Sequence, residues 1–134
     1  MPFDWKQYLD LARELSQPTT SNAGTHEARL RSAISRAYYA AFCHARNYSR
    51  DWLKFVPNHT ADDHGRLRAF LKDGKRRGIA LKLDQLRQWR NAADYEDSWT
   101  ADLATVANTA IGEAQRVLDL LPLPTKPSVG PSAE

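Results

Sequence analysis

Apolar positions recur along this chain with helical spacing and nowhere with the strict alternation of a strand. Trp5, Tyr8, Leu9, Ala12 and Leu15 form a first stripe, the i, i+3, i+4, i+7 pattern of an amphipathic helix. Asp4 predicts its start, as a cap paired with Gln7 three residues on. Pro18 and the run Thr19-Thr20-Ser21-Asn22-Ala23-Gly24 predict a loop. A second helix is expected from Thr25 to about residue 47, with Leu30, Ala33, Ile34, Ala37, Tyr38, Ala41, Phe42 and Ala45 on one broad face. Its alanines allow close helix approach, while Tyr38, Tyr39 and Phe42 fill the space between layers.

Residues 49–60 read as an irregular connection with Trp52, Phe55 and Val56 turned inward. Thr60, helped by Asp62 and Asp63, then predicts the cap of a short helix with Leu67, Phe70 and Leu71 on its sticky face. Gly74 to Gly78 encloses Lys75, Arg76 and Arg77 and reads as a basic turn. From Ile79 the helical period returns through Leu83, Leu86, Arg90 and Ala93. Ser98 or Thr100 can cap a last helix with Trp99, Leu103, Val106, Ala110, Ala114, Val117 and Leu121 along its seam. The expected fold is all-α: an antiparallel up-and-down four-helix bundle with a short extra helix. It should occupy residues 1–121, followed by a disordered, proline-rich tail over 122–134.

A length of 134 residues suits one such domain, and 42% apolar with 26% charged residues is globular usage. No apolar run is long enough to predict a membrane span. Absence of a visible signal segment and a single cysteine, Cys43, point to the cytoplasm. A net charge of +3 permits contact with nucleic acid without requiring it. Neither the histidines nor Cys43 have metal-ligand spacing, so no metal and no cofactor are expected.

Arg90 is the irregular member of its stripe. A guanidinium stays charged in a protein, so a core-facing position demands an anionic companion. Asp94, four residues on, is the nearest one. Two readings follow: an internal Arg–Asp pair that fixes helix packing, with Tyr38 or Tyr39 assisting, or a groove-lining arginine that meets phosphate. Lys75, Arg76 and Arg77, with Arg66, Arg68 and Lys72, offer a second basic cluster, readable as a phosphate-tracking patch or a solvated turn.

Three stretches taken together carry a resemblance: Ser35-Arg36-Ala37-Tyr38-Tyr39-Ala40-Ala41-Phe42, His64-Gly65 followed by Phe70, and Arg90-Asn91-Ala92-Ala93-Asp94-Tyr95. The chain resembles the HEPN superfamily (higher eukaryotes and prokaryotes nucleotide-binding), in particular small prokaryotic members with an R-N-x-A-D-Y motif. The likeness spans about Ala28 to Leu120. It implies the same bundle fold, homodimerisation, and association with RNA or a nucleotide in a toxin–antitoxin or defence system beside an antitoxin or nucleotidyltransferase. By the resemblance, Arg90, Asn91, Asp94, Tyr38, Tyr39 and His64 would line the binding groove.

Many members of that superfamily are metal-independent ribonucleases with an arginine followed, after four to six residues, by a histidine. Imidazole moves a proton near neutral pH while arginine stabilises charge on phosphorus. Here Tyr95, Glu96 and Asp97 stand where that histidine would be. A phenol, with a pKa near 10, is a poor base at pH 7. The expectation is therefore a binding or interaction module without the usual nuclease activity. The alternatives are an endoribonuclease in which Arg90 acts with Tyr95 or His64, and a purely structural bundle. Some toxin members are silenced when a partner nucleotidyltransferase modifies a tyrosine near the motif, which gives Tyr95 a second possible role beside packing in the bundle.

Overall fold

The computed structural model of the chain describes residues 2–18 and 22–123. Among these, five α-helices and no strand are present: α1 (Lys6–Leu15), α2 (Ala23–Trp52), α3 (Asp63–Asp73), α4 (Arg77–Tyr95) and α5 (Leu103–Leu120). Most of the tail, residues 124–134, lies outside the described residues, and so does the expectation of disorder there. No helix among the described residues is long and apolar enough to cross a membrane.

Helix α2 is the axis of the molecule and packs against α1, α4 and α5, while α3 lies on α4. All eight residues of the predicted α2 face are buried, together with Ala40 and Cys43. The alanines at 33, 37, 41 and 45 leave no side-chain bulk beyond a methyl, so neighbouring helices seat closely along that line. Leu9 and Ala12 of α1, Leu67 and Leu71 of α3, Leu83 and Leu86 of α4, and Ala110, Ala114 and Val117 of α5 complete one continuous core.

Helix ends depart from expectation in instructive ways. The N-cap of α1 is Trp5, without a side-chain cap; the Asp4 carboxylate accepts the Lys6 N–H at 3.0 Å and its carbonyl the Gln7 N–H, in place of the expected capping box with the Gln7 side chain. Asn22 begins α2, accepting from the Thr25 N–H. The helix continues through Trp52, thirty residues and about 45 Å. It thus absorbs the start of the expected connection. Trp52 and Val56 are 55% and 70% exposed, and only Phe55 of the three is buried. The reason is positional: Ser49 is the last buried residue of α2, and Trp52 lies one turn beyond it.

Thr60 does not cap α3. Residues 60–63 already turn on themselves, with Asp63 N–H donating to the Thr60 carbonyl, so the helix starts at Asp63. Likewise Arg77 belongs to α4, which confines the basic turn to residues 74–76. Asp102 rather than Ser98 or Thr100 caps α5, accepting from the N–H and hydroxyl of Thr105.

Arg31 closes the far end of α4. Its guanidinium, mostly buried and paired with Glu27, donates to the carbonyls of Ala93 at 3.0 Å and Glu96 at 2.7 Å. Those carbonyls have no partner within their own helix, and a cation there also opposes the helix dipole. Arg31→Ala should cost about 1–2 kcal/mol in urea unfolding and speed amide exchange in the last turn of α4. An unchanged midpoint would deny the cap.

Candidate functional site

The residues singled out in the sequence converge only in part. Helices α2 and α4 bring Arg90 against Tyr38 and Tyr39, with its guanidinium carbon 5.4 and 5.3 Å from the two ring centroids. The arginine side chain is 14% exposed, and Asp94 approaches it at 3.7 Å as an ion pair rather than a hydrogen bond. The anionic companion demanded by the helix pattern is therefore present but loose. The aromatic faces supply the rest, since each ring presents negative quadrupole density to a cation. Asp94 is also held by the Ser35 hydroxyl at 3.4 Å. Arg90 Nε is buried and has no hydrogen-bond partner.

His64, on the first turn of α3, reaches the same tyrosine from another direction. Its Nδ1 is hydrogen-bonded to the Tyr38 hydroxyl, and its ring stacks on Phe42 at 4.0 Å with planes 4° apart. Burial pushes the Tyr38 phenol far above its ordinary value, only partly opposed by the Arg90 and Arg68 guanidiniums. Tyr38 consequently stays protonated and is the donor. The His64 imidazole is pushed below its usual value by burial first, then by the positive charges of Arg90 and Arg68, while Asp63 opposes them. A neutral ring that accepts at Nδ1 carries its hydrogen on Nε2.

Asp63 fixes the approach of His64. It is 3% exposed and accepts the N–H groups of Asn58 and His59 at 2.9 Å each, with Arg66 donating at 2.7 Å. His59 adopts φ = 62°, a left-handed conformation that these bonds hold in place. Burial would raise the Asp63 pKa, but the two backbone donors and then Arg66 outweigh it and hold the carboxyl below the ordinary range. From sequence alone Asp63 has only a helix-dipole role. The Asp63–Arg66 spacing was visible, whereas the turn that aims two N–H groups at the carboxylate was not.

Tyr95 is not part of this cluster. It is the last residue of α4 and is 74% exposed, which corrects the expectation that it packs in the bundle. Five residues on a helix rotate a side chain by about 140°, away from the face of Arg90. Asn91 lies beside Arg90 in sequence and is half-buried. Two of the six cations of the second basic cluster are committed: Arg66 binds Asp63 and the Val56 carbonyl, and Arg68 pairs with Asp84 at 3.6 Å and donates to the His64 carbonyl. Cys43 is buried, and burial raises its thiol pKa, opposed by Arg46. Among the described residues no three His, Cys, Asp or Glu side chains cluster as metal ligands would.

What the arrangement offers is a buried tyrosine serving at once as a platform for a guanidinium and as hydrogen-bond donor to a neutral histidine. No protein-family model, no curated protein and no solved structure matches the chain.

Proposed function

We propose that this chain is a HEPN-like module that associates with RNA or a nucleotide, a homodimer of a prokaryotic toxin–antitoxin or defence system acting in the cytoplasm. In this reading α1, α2, α4 and α5 form the up-and-down four-helix bundle and α3 is the extra helix. Three contacts support that topology. Arg29, early in α2, donates to the Glu14 carbonyl at the end of α1; Arg31 meets the end of α4; and Lys82 of α4 pairs with Glu113 of α5. The first two join opposite ends of consecutive bundle helices, and the third joins α4 to α5.

The observation that carries the functional reading is the incomplete neutralisation of Arg90. Asp94 stays at 3.7 Å, outside hydrogen-bond distance, Nε has no partner, and the guanidinium otherwise rests on two tyrosine rings. Arg68 and Arg46 add positive charge around the neighbouring His64. Such a cationic locus with aromatic support suits a phosphate. Arg90, Asn91, Asp94, Tyr38, Tyr39 and His64 are the residues assigned to it.

A second reading, a metal-independent endoribonuclease, is favoured in one form over the other. His64 shares the Tyr38 side chain with Arg90, whereas Tyr95 faces away. If the chain cleaves RNA, Arg90 with His64 is therefore the pair to test.

The experiment incubates the protein with labelled total RNA in EDTA and reads retention and cleavage together. Retention without cleavage is expected, weakening by about tenfold in Arg90→Lys, which keeps the charge but loses the guanidinium fork. Arg90→Ala is read alongside by circular dichroism to separate loss of contact from loss of fold. Cleavage abolished by His64→Gln would establish the enzyme. Absence of any retention at low salt would overturn the RNA assignment.

A further inference from the structure

Beside the Tyr38 cluster, an open cleft of about 600 Å³ lies between α1, α2 and the turn leading into α3. Its walls include Trp5 and Tyr8 on one side and Arg36, Tyr39 and Arg46 on the other, with His64 at the end toward α3. The guanidinium of Arg36 lies 5.2 Å from the centroid of Tyr8, and that of Arg46 lies 5.9 Å from those of Trp5 and Phe42. Neither arginine forms an ion pair among the described residues; Arg46 Nε donates to the neutral Asn47 amide. The carboxylate that lines the cleft, Asp63, is committed to Asn58, His59 and Arg66. Two cations thus flank a concave, ring-lined surface without a local counter-charge.

Their spacing selects the ligand. Arg36, Tyr39, Cys43 and Arg46 follow one another at i, i+3, i+7 and i+10, a single stripe of α2. The backbone positions of the two arginines are therefore about 15 Å apart along the helix axis, with one guanidinium over Tyr8 and the other over Trp5. A chain of phosphates can follow such a stripe, and half-buried aromatic rings beside cationic posts resemble the arrangement that holds single-stranded nucleic acid, phosphates on the guanidiniums and bases against rings. An acidic peptide would meet the same charges and gain little from the rings.

We infer that this cleft is the path of a single-stranded RNA segment along α2, with Arg36 and Arg46 on its phosphates and Trp5 as a stacking surface. The inference rests on the reading of the chain as an RNA-associated module and places that RNA on α1 and α2 rather than at Arg90 alone.

Fluorescence anisotropy of a fluorescein-labelled oligo(U), titrated with the full chain at several salt concentrations, tests it. The paired variant Arg36→Gln/Arg46→Gln should bind at least about tenfold more weakly, with the slope of log K against log salt smaller by about 1.4, the value for two lost single-strand phosphate contacts. Trp5→Leu should weaken binding by about five- to tenfold with its salt slope unchanged. Melting temperature confirms that each variant folds. Undiminished binding by the paired variant, with Arg90→Lys impaired, would overturn the cleft and leave the module reading standing. No binding by the wild-type chain would overturn both. Equal affinity of wild type for labelled oligoglutamate, lost in the paired variant, would replace the RNA with an acidic peptide.

Discussion

Tyr38→Ala should lower the stability of the chain by about 3–5 kcal/mol, while Tyr38→Phe should cost only about 1–1.5 kcal/mol. Tyr38 is among the largest fully buried side chains. Its ring stacks on Phe42 at 5.9 Å, meets Tyr39 edge-on at 5.2 Å and supports Arg90. Alanine removes all of that and leaves a cavity beneath a guanidinium already short of partners, which has to find water or a closer Asp94. Phenylalanine keeps the ring and the cation–π contact and removes only the hydroxyl that donates to His64. Chemical denaturation of both variants measures the difference. A second readout isolates the hydroxyl. The Tyr38 hydrogen bond favours the neutral imidazole, so His64 should titrate higher in Tyr38→Phe than in wild type by NMR. If phenylalanine proves as damaging as alanine, the ring is not the support described for Arg90.

Much of this architecture was legible before any coordinates. The α2 face was readable because eight apolar residues repeat at helical spacing, and all eight are buried. Arg90 was readable for the opposite reason, as a charge interrupting a stripe whose other members, Ile79, Leu83, Leu86 and Ala93, are core. Illegible were the contacts between elements far apart in sequence. Nothing local to Tyr38 says that His64, twenty-six residues on, supplies the acceptor for its hydroxyl, because the turn at Asn58 and His59 that aims α3 depends on a carboxylate beyond it. Likewise Arg31 reads as an ordinary partner of Glu27 until α4 ends beside it. Tyr95 misled because its motif neighbours point inward. A helix face changes within one residue: Ala93 is core, while Tyr95, two residues on, faces out.

The same carboxylate contributes to the acid sensitivity of the fold. Asp63 has a pKa depressed below its unfolded value of about 3.9 because two backbone N–H groups and Arg66 favour its charged form over the burial that opposes it. The unfolded chain then binds a proton that the folded chain refuses, so this contribution is present above about pH 4 and is lost as pH falls through the folded value. His64 adds an earlier loss of the same sign. Its folded pKa also lies below the unfolded value near 6.5, so stability begins to decline on acidification below about pH 6.5 and stops declining once the folded imidazole is protonated. Asp63→Asn should cost about 2–3 kcal/mol at pH 7, since the amide offers one acceptor oxygen where two receive bonds and turns a donor toward donors. Urea midpoints across pH should therefore show the mutant nearly parallel to wild type down to about pH 5, then converging with it toward pH 2 as the wild-type carboxyl itself protonates. A constant gap between the two curves down to pH 2 would mean that the charge of Asp63 contributes nothing, and that its site works through shape alone.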